Sequence, residues 1–350
     1  MRKAQQIKKG ENMFENRALI SRRGFCAGTA AAGLAAIPLG RASAQGQKYP
    51  SRTFSVVIPT GQGGGAERLA RAFDDAWSKS LGQQFEYSFH AGAAGQIGYE
   101  LFVKRRPHDG HNLLFGNMGA EMIMYAVQKP NYKFPEDFIY FSRTDIDDSC
   151  IFVKRDSPYK DLKSVVEAAK KKTLNVAVSR IPHPASIGLL SLGDATGSKY
   201  NLIPYGGGNP TYIAVLNGEA EVGALPITGV LSLGDRLKVL GVFNRENIFA
   251  KQTENAPTVN SVFNTNIPDL YSSRAWAIHT DWADANPQHF DMLQKTAEEA
   301  HKSAMFKDAF EKSGAPTEAL RYGDRKVCTE YALSMVELAR RYEKVLSAQK

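Results

Sequence analysis

The sequence predicts an α/β protein of two similar lobes, each a mainly parallel sheet flanked by helices, with a ligand cleft between the lobes. Short apolar stretches alternate with helix-forming ones from residue 53 onward, as parallel sheets require, because each crossover carries a helix. The alternation starts again near Ile151. The roughly 306 residues that follow the N-terminal segment exceed what a single core usually holds.

The first lobe is assigned to residues 45–150 and 272–350. Its first strands are predicted where apolar and β-branched residues cluster, at Phe54–Ile58, Gln84–Phe89, Asn112–Gly116 and Phe138–Ser142. The helices between them are predicted at Ala66–Leu81, Gln96–Arg106 and Ala120–Gln128. A returning segment adds one strand and three helices, at Ala275–His279, Pro287–Lys302, Ala304–Ser313 and Val327–Leu346.

The second lobe is assigned to residues 151–271. Its strands are predicted at Ile151–Val153, Leu174–Val178, Asn201–Pro204, Ala220–Leu225 and Leu237–Phe243. Its helices are predicted at Asp161–Lys172, Ala185–Ala195 and Pro210–Leu216. Because ligands of such sheets sit at the carboxyl ends of the strands, we expect a small anion to bind between helix ends of the two lobes.

The N-terminal segment has the pattern of a twin-arginine export signal. Arg22 and Arg23 precede Phe25, and the following stretch from Gly24 to Gly40 carries no charge. A small-residue motif predicts cleavage after Ala44. We therefore expect residues 1–44 to be removed and the protein to be periplasmic. A retained membrane anchor, or a chance arginine pair, is the alternative.

Charge and cysteine content exclude several classes of protein. The full chain has a formal charge of +8. Residues 1–44 hold eight Lys/Arg and two Asp/Glu, so the mature chain keeps +2, and no nucleic-acid partner is expected. Cys150 and Cys328 could form one disulfide in an oxidising compartment or remain buried thiols. No Cys/His spacing indicates a metal site, and no cofactor is expected.

A glycine-rich turn is the first candidate binding loop. It lies between an apolar strand and a helix, where free backbone N–H groups and the positive helix end favour an anion. No lysine follows the glycines, so the turn is not a nucleotide-binding P-loop. In an exported protein the expected anion is a carboxylate. The candidate residues of this turn are Thr60, Gly61, Gln62, Gly63, Gly64 and Gly65.

Five further side chains are candidates because they follow predicted strands or begin helices. Glu67 either contacts the ligand or only complements the helix dipole. Arg180 is either a bidentate partner of a carboxylate or an exposed loop residue. His183, between two prolines, is either a fixed donor or a packing residue. Tyr205 and, more weakly, Asn117 could line the cleft.

Several motifs in order resemble the substrate-binding receptors of tripartite tricarboxylate transporters, also called Bug receptors. They cover nearly the whole mature chain. Each is weak alone, but their order and spacing are specific. The motifs are Tyr49-Pro50-Ser51-Arg52, Val57-Ile58-Pro59 with Gly63-Gly64-Gly65, Ala91-Gly92-Ala93-Ala94-Gly95, Asp109-Gly110 with Leu113-Leu114, Pro204-Tyr205-Gly206-Gly207-Gly208, and Leu216 with Gly218 and Glu221.

The resemblance implies a type II periplasmic-binding-protein fold without catalysis. It implies a small organic carboxylate held between the loops Thr60–Glu67 and Ser179–Ser186, with Gly207 in the second lobe also near the ligand. Membrane transporter subunits are the implied partner, and we expect a monomer. The second loop departs from the family pattern, because Ser186 stands where a histidine is usual and His183 where a threonine is usual. The fold is therefore better supported than the solute.

Two other functions remain open. A ligand-presenting component of a signalling receptor would share this fold and cleft. An exported hydrolase would need a nucleophile elbow, and the nearest stretch, Gly188–Gly193, has the wrong spacing and lies in a predicted helix.

Overall fold

The computed structural model describes residues 48–347, the side chains of residues 345 and 347 excepted. The export segment predicted from Arg22, Arg23 and the cleavage site after Ala44 lies outside these residues. Between residues 48 and 347, no helix combines the length and the apolar character that a membrane crossing needs.

Strands and helices alternate along most of the chain. Within residues 48–347 there are twelve strands: β1 (Phe54–Ile58), β2 (Phe85–Phe89), β3 (Asn112–Asn117), β4 (Phe138–Asp145), β5 (Asp147–Lys154), β6 (Leu174–Val178), β7 (Tyr200–Pro204), β8 (Val222–Pro226), β9 (Leu237–Val242), β10 (Tyr271–Ser272), β11 (Arg274–His279) and β12 (Leu320–Gly323).

The same residues form thirteen α-helices: α1 (Gly65–Leu81), α2 (Gln96–Arg105), α3 (Met118–Gln128), α4 (Leu162–Lys171), α5 (Pro184–Thr196), α6 (Gly208–Asn217), α7 (Ile227–Leu231), α8 (Val259–Phe263), α9 (Thr280–Ala285), α10 (Pro287–Lys302), α11 (Ala304–Lys312), α12 (Arg325–Arg341) and α13 (Glu343–Ser347).

Two six-stranded sheets form the centres of the two lobes. The first has the strand order β12-β4-β11-β3-β1-β2, and the second has β10-β5-β8-β6-β7 with β9 also paired to β5. The parallel pairs join β1 to β2 and β3 in the first sheet, and β6 to β7 and β8 in the second. The two-lobed α/β class is confirmed.

The sheets are mixed, whereas the sequence predicts mainly parallel ones. The reversed strands are β11 and β12 in the first sheet and β5 in the second. β5 and β11 are the strands by which the chain enters a sheet from the other one, so each arrives against the direction of its new neighbours. The chain crosses between the sheets at residues 145–147 and 272–274.

Local sequence explains why the helices form and where they end. In α1 the residues Ala66, Leu69, Ala70, Phe73 and Trp77 are buried at helical spacing, and Gly82 ends the helix in the left-handed region (φ 66°). α4 begins at a capping box in which Asp161 accepts from Ser164 N. Pro287 opens α10 at a position where its missing N–H costs nothing.

Large aromatic side chains fill the core against the first sheet. Trp77 on α1 and Trp276 on β11 are fully buried, with ring centroids 5.1 Å apart in an edge-on arrangement. Phe115 on β3 packs 4.7 Å from Trp276 by the same measure. Burial of each of these rings contributes about 1.5–3 kcal/mol, which fixes the sheet on which the binding loops are mounted.

Some elements are absent from the sequence-based prediction. They are short, namely β10, β12, α7, α8 and α9, and each has too few residues to show a period. The predicted helix Val327–Leu346 is two helices, α12 and α13, which separate at Tyr342. Cys150 and Cys328 are both buried free thiols, which resolves the two alternatives left by the sequence.

The predicted boundaries of the lobes stay a prediction. The strands place Asp147 and Ser272 in the second sheet.

Candidate functional site: a cavity at five helix ends

Five helices begin around one small cavity between the two sheets. Each follows directly on the carboxyl end of a strand: α1 after β1, α3 after β3, α5 after β6, α6 after β7, and α7 after β8. The residues that precede these helices all line the cavity, which has a volume of about 60 Å³. They are Gly64, Asn117, His183, Gly207 and Pro226. We call this space the helix-end cavity.

The N-terminus of α1 offers free hydrogen-bond donors to the helix-end cavity. The N–H groups of Gly65, Ala66 and Glu67 find no acceptor within residues 48–347, as the first turn of a helix lacks internal partners. Gly64 precedes the helix without a side-chain cap. A Cβ added at Gly65 would lie 3.4 Å from Arg274 Nη2, so this backbone and the Arg274 side chain are close neighbours.

Thr60 borders the same space and carries a buried hydroxyl group. Its Oγ1 is inaccessible to solvent and makes no hydrogen bond within the described part of the chain. Thr60 and Gly61 both line the helix-end cavity. Because buried hydroxyl groups are nearly always hydrogen-bonded, an unpartnered one at the lining of a cavity indicates a position where a ligand atom completes the bond.

Hydrogen bonds within the glycine loop and to the first turn of α1 hold the rest of the loop in its conformation. The Glu67 carboxylate accepts a hydrogen bond from Gly63 N at 2.6 Å and another from Arg71 Nε at 2.9 Å. Gly63 has a positive φ of 77°, which glycine adopts without strain. Gln62, Gly63 and Glu67 are not among the residues that line the helix-end cavity. The structure thus gives Glu67 a loop-bracing position.

One hydrogen bond joins the glycine loop to the second lobe. Asn209 on α6 donates from Nδ2 to Gly63 O at 2.6 Å. This bond holds the loops of the two lobes against each other.

The loop between β6 and α5 is fixed by its own side chains. Ser186 Oγ donates to Arg180 O at 3.0 Å and is itself fully buried. His183 Nδ1 accepts from Ala185 N at 3.0 Å, which leaves Nε2 as the protonated nitrogen, 3.4 Å from Ser272 Oγ. Burial, with Arg180 and Arg274 nearby, lowers the pKa of His183 to about 3, so the ring is neutral at pH 7.

Arg180 lines the helix-end cavity but already has a charge partner. Its Nη1 donates to Ala94 O at 2.9 Å and to Glu121 Oε1 at 3.1 Å. Both partners belong to elements of the first lobe, so this arginine also links the lobes. Within residues 48–347 its hydrogen bonds use Nη1 alone among its three nitrogens. Nε and Nη2 therefore remain as donors.

Glu121 lies at the end of a buried chain of polar groups. Tyr99 donates from its hydroxyl to Glu121 Oε2 at 3.1 Å and also bonds to the hydroxyl of Tyr140. Complete burial raises the pKa of Glu121 to about 7, although Arg180 acts in the opposite direction. The ion pair between Glu121 and Arg180 is therefore sensitive to pH near neutrality.

A buried charge cluster lies at the chain crossings and was not predicted from the sequence. Arg274 bonds through Nη2 to Asp147 Oδ2 at 2.9 Å and through its backbone N to Asp145 Oδ1 at 2.7 Å, and Nη1 also contacts Asp145. Asp147 accepts in addition from Thr228 N, at the start of α7. Arg274 lines the helix-end cavity. The run Asp145-Ile146-Asp147-Asp148 between two apolar strands is the sequence signal for this cluster.

The remaining candidates divide between the cavity and its surroundings. Asn117 lines the cavity and caps α3 by accepting from Ala120 N at 3.3 Å. Gly207 also lines it, whereas Ser186 and Tyr205 do not. Tyr205 is half-buried, and burial together with Glu219 raises the pKa of its hydroxyl. In the described part of the chain no cluster of His, Cys, Asp or Glu could hold a metal ion.

Comparison with known proteins identifies the family to which this chain is similar. Residues 69–317 match the family described as the tripartite tricarboxylate transporter family receptor, TctC. The chain belongs to this family. Since its members and the structural neighbours are solute-binding receptors, the prediction that the chain is not an enzyme is confirmed, as is the resemblance to Bug receptors.

Curated relatives align with this receptor over part or most of their length. A UPF0065 protein from the tcbD-tcbE intergenic region of a Pseudomonas species is 27% identical over 198 residues, which is 55% of this chain and 59% of the relative. Protein BugT of Bordetella pertussis is 24% identical over 273 residues, or 76% of this chain and 82% of the relative. The chain spans little more than half the length of the first curated relatives that it matches.

Several solved structures have the same fold. The periplasmic binding protein BugD has a TM-score of 0.73 at 19% identity and covers 85% of this chain and 98% of its own. MatC of Rhodopseudomonas palustris, with bound malate, has a TM-score of 0.71 at 19% identity, covering 85% and 100%. A second R. palustris protein, with adipate, has a TM-score of 0.72 at 17% identity, covering 86% and 99%.

Proposed function

We propose that this receptor is exported by the twin-arginine route, binds one small organic carboxylate in the helix-end cavity, and delivers it unchanged to the membrane subunits of a tripartite tricarboxylate-type transporter. The observation that carries the proposal is the convergence of five helix N-termini on one cavity whose lining includes all five residues preceding those helices. Helix N-termini favour negative charge, and each free N–H group can donate to a carboxylate oxygen.

The charged side chains around the cavity are already paired, so we expect the backbone N–H groups of the helix ends to contribute more to carboxylate binding than free cations do. Arg180 and Arg274 are both paired, the first with Glu121 and the second with Asp145 and Asp147. Three buried acids thus face two buried bases, which gives no net attraction for an anion. The backbone N–H groups of α1 and the Thr60 hydroxyl are therefore the donors that we expect to hold the carboxylate, with Arg180 Nε and Nη2 adding charge.

The family and the neighbours agree with this chemistry. The family description names a tricarboxylate transporter. The two R. palustris structures contain malate and adipate, which are both carboxylates. We extend this class of solute, the transporter partner, periplasmic location and a monomeric state to the present chain as proposals.

Calorimetry and thermal unfolding of residues 45–350 with a panel of organic acids test the proposal. An acid at about 100 times its dissociation constant should raise the free energy of unfolding by about 2.7 kcal/mol. Gly64→Val should abolish this gain, because its side chain occupies the approach to the α1 N–H groups. The backbone at Gly64 (φ −79°) accepts a side chain, and an added Cβ meets only Gly61 O at an ordinary 3.5 Å.

The variant without ligand provides the control for folding. Its free energy of unfolding should fall by no more than the roughly 1 kcal/mol expected when a β-branched residue replaces glycine before a helix. If folded Gly64→Val keeps full affinity, the carboxylate does not bind at α1. Turnover of an ester or amide by the purified protein would contradict the receptor assignment itself.

A further inference from the structure

A second and larger cavity adjoins the helix-end cavity. It has a volume of about 380 Å³, and Ser179 and Arg180 line both spaces. Its walls come from the loop before α2, the end of α3, the loop after β6 and the C-terminal helix α13. We call it the apolar cavity.

The lining of the apolar cavity contains few groups that could recognise charge. Of the described residues that form it, Arg180 is the one with a charged side chain. Gln128 and Ser179 are the other polar side chains there. The opposing surfaces carry apolar side chains from both lobes, including those of Pro59, Val127, Ile181 and Leu346.

The sizes of the two cavities suit different parts of one molecule. A space of about 60 Å³ is about twice the volume that one water molecule occupies in the liquid, which is the scale of a single carboxylate group. A space of about 380 Å³ lies within the range of cavities that hold small organic ligands. Arg180, shared by both, stands where the two parts would join.

We propose that the solute is a monocarboxylate with an aromatic or branched apolar body. Its carboxylate binds the α1 N–H groups, Thr60 and Arg180 in the helix-end cavity, and its body fills the apolar cavity. This inference rests on the proposed function and names the class of solute for the same site. It differs from the malate and adipate of the neighbours, which carry a carboxylate at each end.

A second carboxylate would be poorly solvated in the apolar cavity. It would lose its hydration without gaining a new cation, since Arg180, the one charged residue of this lining, is shared by Glu121 and the first carboxylate. Burial of an unpaired charge is strongly unfavourable, whereas an apolar body gains free energy in proportion to the surface that it buries. The lining thus selects against dicarboxylates of the same length.

Three probes separate the contributions of charge and apolar surface. They are 3-phenylpropionate, which has one carboxylate and an apolar body, glutarate, which has two carboxylates, and 3-phenylpropan-1-ol, which has the apolar body alone. We expect 3-phenylpropionate to bind residues 45–350 at least about tenfold more tightly than glutarate, as the burial of one ring face would give. The alcohol should bind at least about tenfold more weakly than 3-phenylpropionate.

A matched pair of substitutions locates the apolar body. Ile181 lines the apolar cavity and is half-buried, while Ile213 on α6 is 53% exposed and lines neither space. Ile181→Asn should weaken binding of 3-phenylpropionate by about tenfold and leave that of glutarate within about twofold. Ile213→Asn should change neither affinity, and the unfolding midpoints of both variants report whether they fold.

The outcomes distinguish this inference from the function on which it rests. Tighter binding of glutarate than of 3-phenylpropionate, or an equal effect of Ile181→Asn on both acids, overturns the apolar-body inference while carboxylate binding stands. No binding of 3-phenylpropionate while another acid of the panel binds overturns this inference alone. Binding of the alcohol as tight as that of the acid, or no binding of any acid of the panel, overturns the proposed function and this inference together.

Discussion

Thr60→Val is the substitution that most directly tests how the helix-end cavity works. Valine has nearly the same shape as threonine, so the change removes one hydroxyl group that has no partner within residues 48–347. An unsatisfied buried polar group costs about 1–3 kcal/mol, and without ligand the variant should therefore be more stable by up to that amount. If a carboxylate accepts a hydrogen bond from this hydroxyl, its loss removes about 1.5–3 kcal/mol of binding free energy, or about 10- to 150-fold in affinity.

Opposite signs for stability and binding are the distinctive result. Chemical denaturation without ligand measures the first, and calorimetry with the best-binding acid measures the second. Thr253→Val is the matched control, since Thr253 lies outside the helix-end cavity and its buried Oγ1 donates to Phe249 O at 2.9 Å and accepts from Asn247 Nδ2 at 2.8 Å. It should lose about 1–3 kcal/mol of stability and keep its affinity. A Thr60→Val protein that binds within about twofold of the parent, or unfolds at lower denaturant, would refute the reasoning.

Two further predictions concern buried charge. Arg180→Ala should lower the free energy of unfolding by about 3–5 kcal/mol at pH 8, where Glu121 must either stay ionised without its partner or take up a proton, and by less at pH 5, where Glu121 is already protonated. Adding Glu121→Gln should recover much of the loss, and equal losses at both pH values in denaturant titrations would contradict this. Burial raises the pKa of Asp148 to about 7, so the folded state binds its proton more tightly and stability falls as the pH rises from about 4 to 7. Asp148→Asn should flatten that decline, and an unchanged pH profile of unfolding would exclude Asp148 as its source.

Regular elements with local signals could be predicted from the sequence. Leu174–Val178 and Pro287–Lys302 have the predicted bounds, because an apolar run between turns and a proline-started helix are specified by adjacent residues. The direction of β11 could not be predicted. It depends on a return from the second sheet after more than 120 residues, and no local pattern encodes which neighbours a returning strand will meet.

The position of the glycine loop between a strand and a helix could be predicted from the sequence, but the ion pairs around it could not. Gly64 and Gly65 line the helix-end cavity, and their contact with a ligand stays a prediction. The ion pairs that fix the site were not foreseen, because Arg180 and Glu121 are 59 residues apart and Arg274 and Asp147 are 127 apart. In the sequence alone, each arginine could be an unpaired partner for a ligand carboxylate. Only the fold shows that the partner of each arginine is already in place.

The hydrogen bond from Asn209 to Gly63 has a consequence for the time course of solute capture. The bond joins one protein group to another across the two lobes, so its free energy favours closure whether or not a solute is bound. The closed conformation alone therefore does not distinguish a receptor with bound solute from an empty one. What a bound solute changes is the persistence of that shape, because every bond that it makes to both lobes must also break before they separate. A receptor with bound solute should therefore stay closed for longer than an empty one.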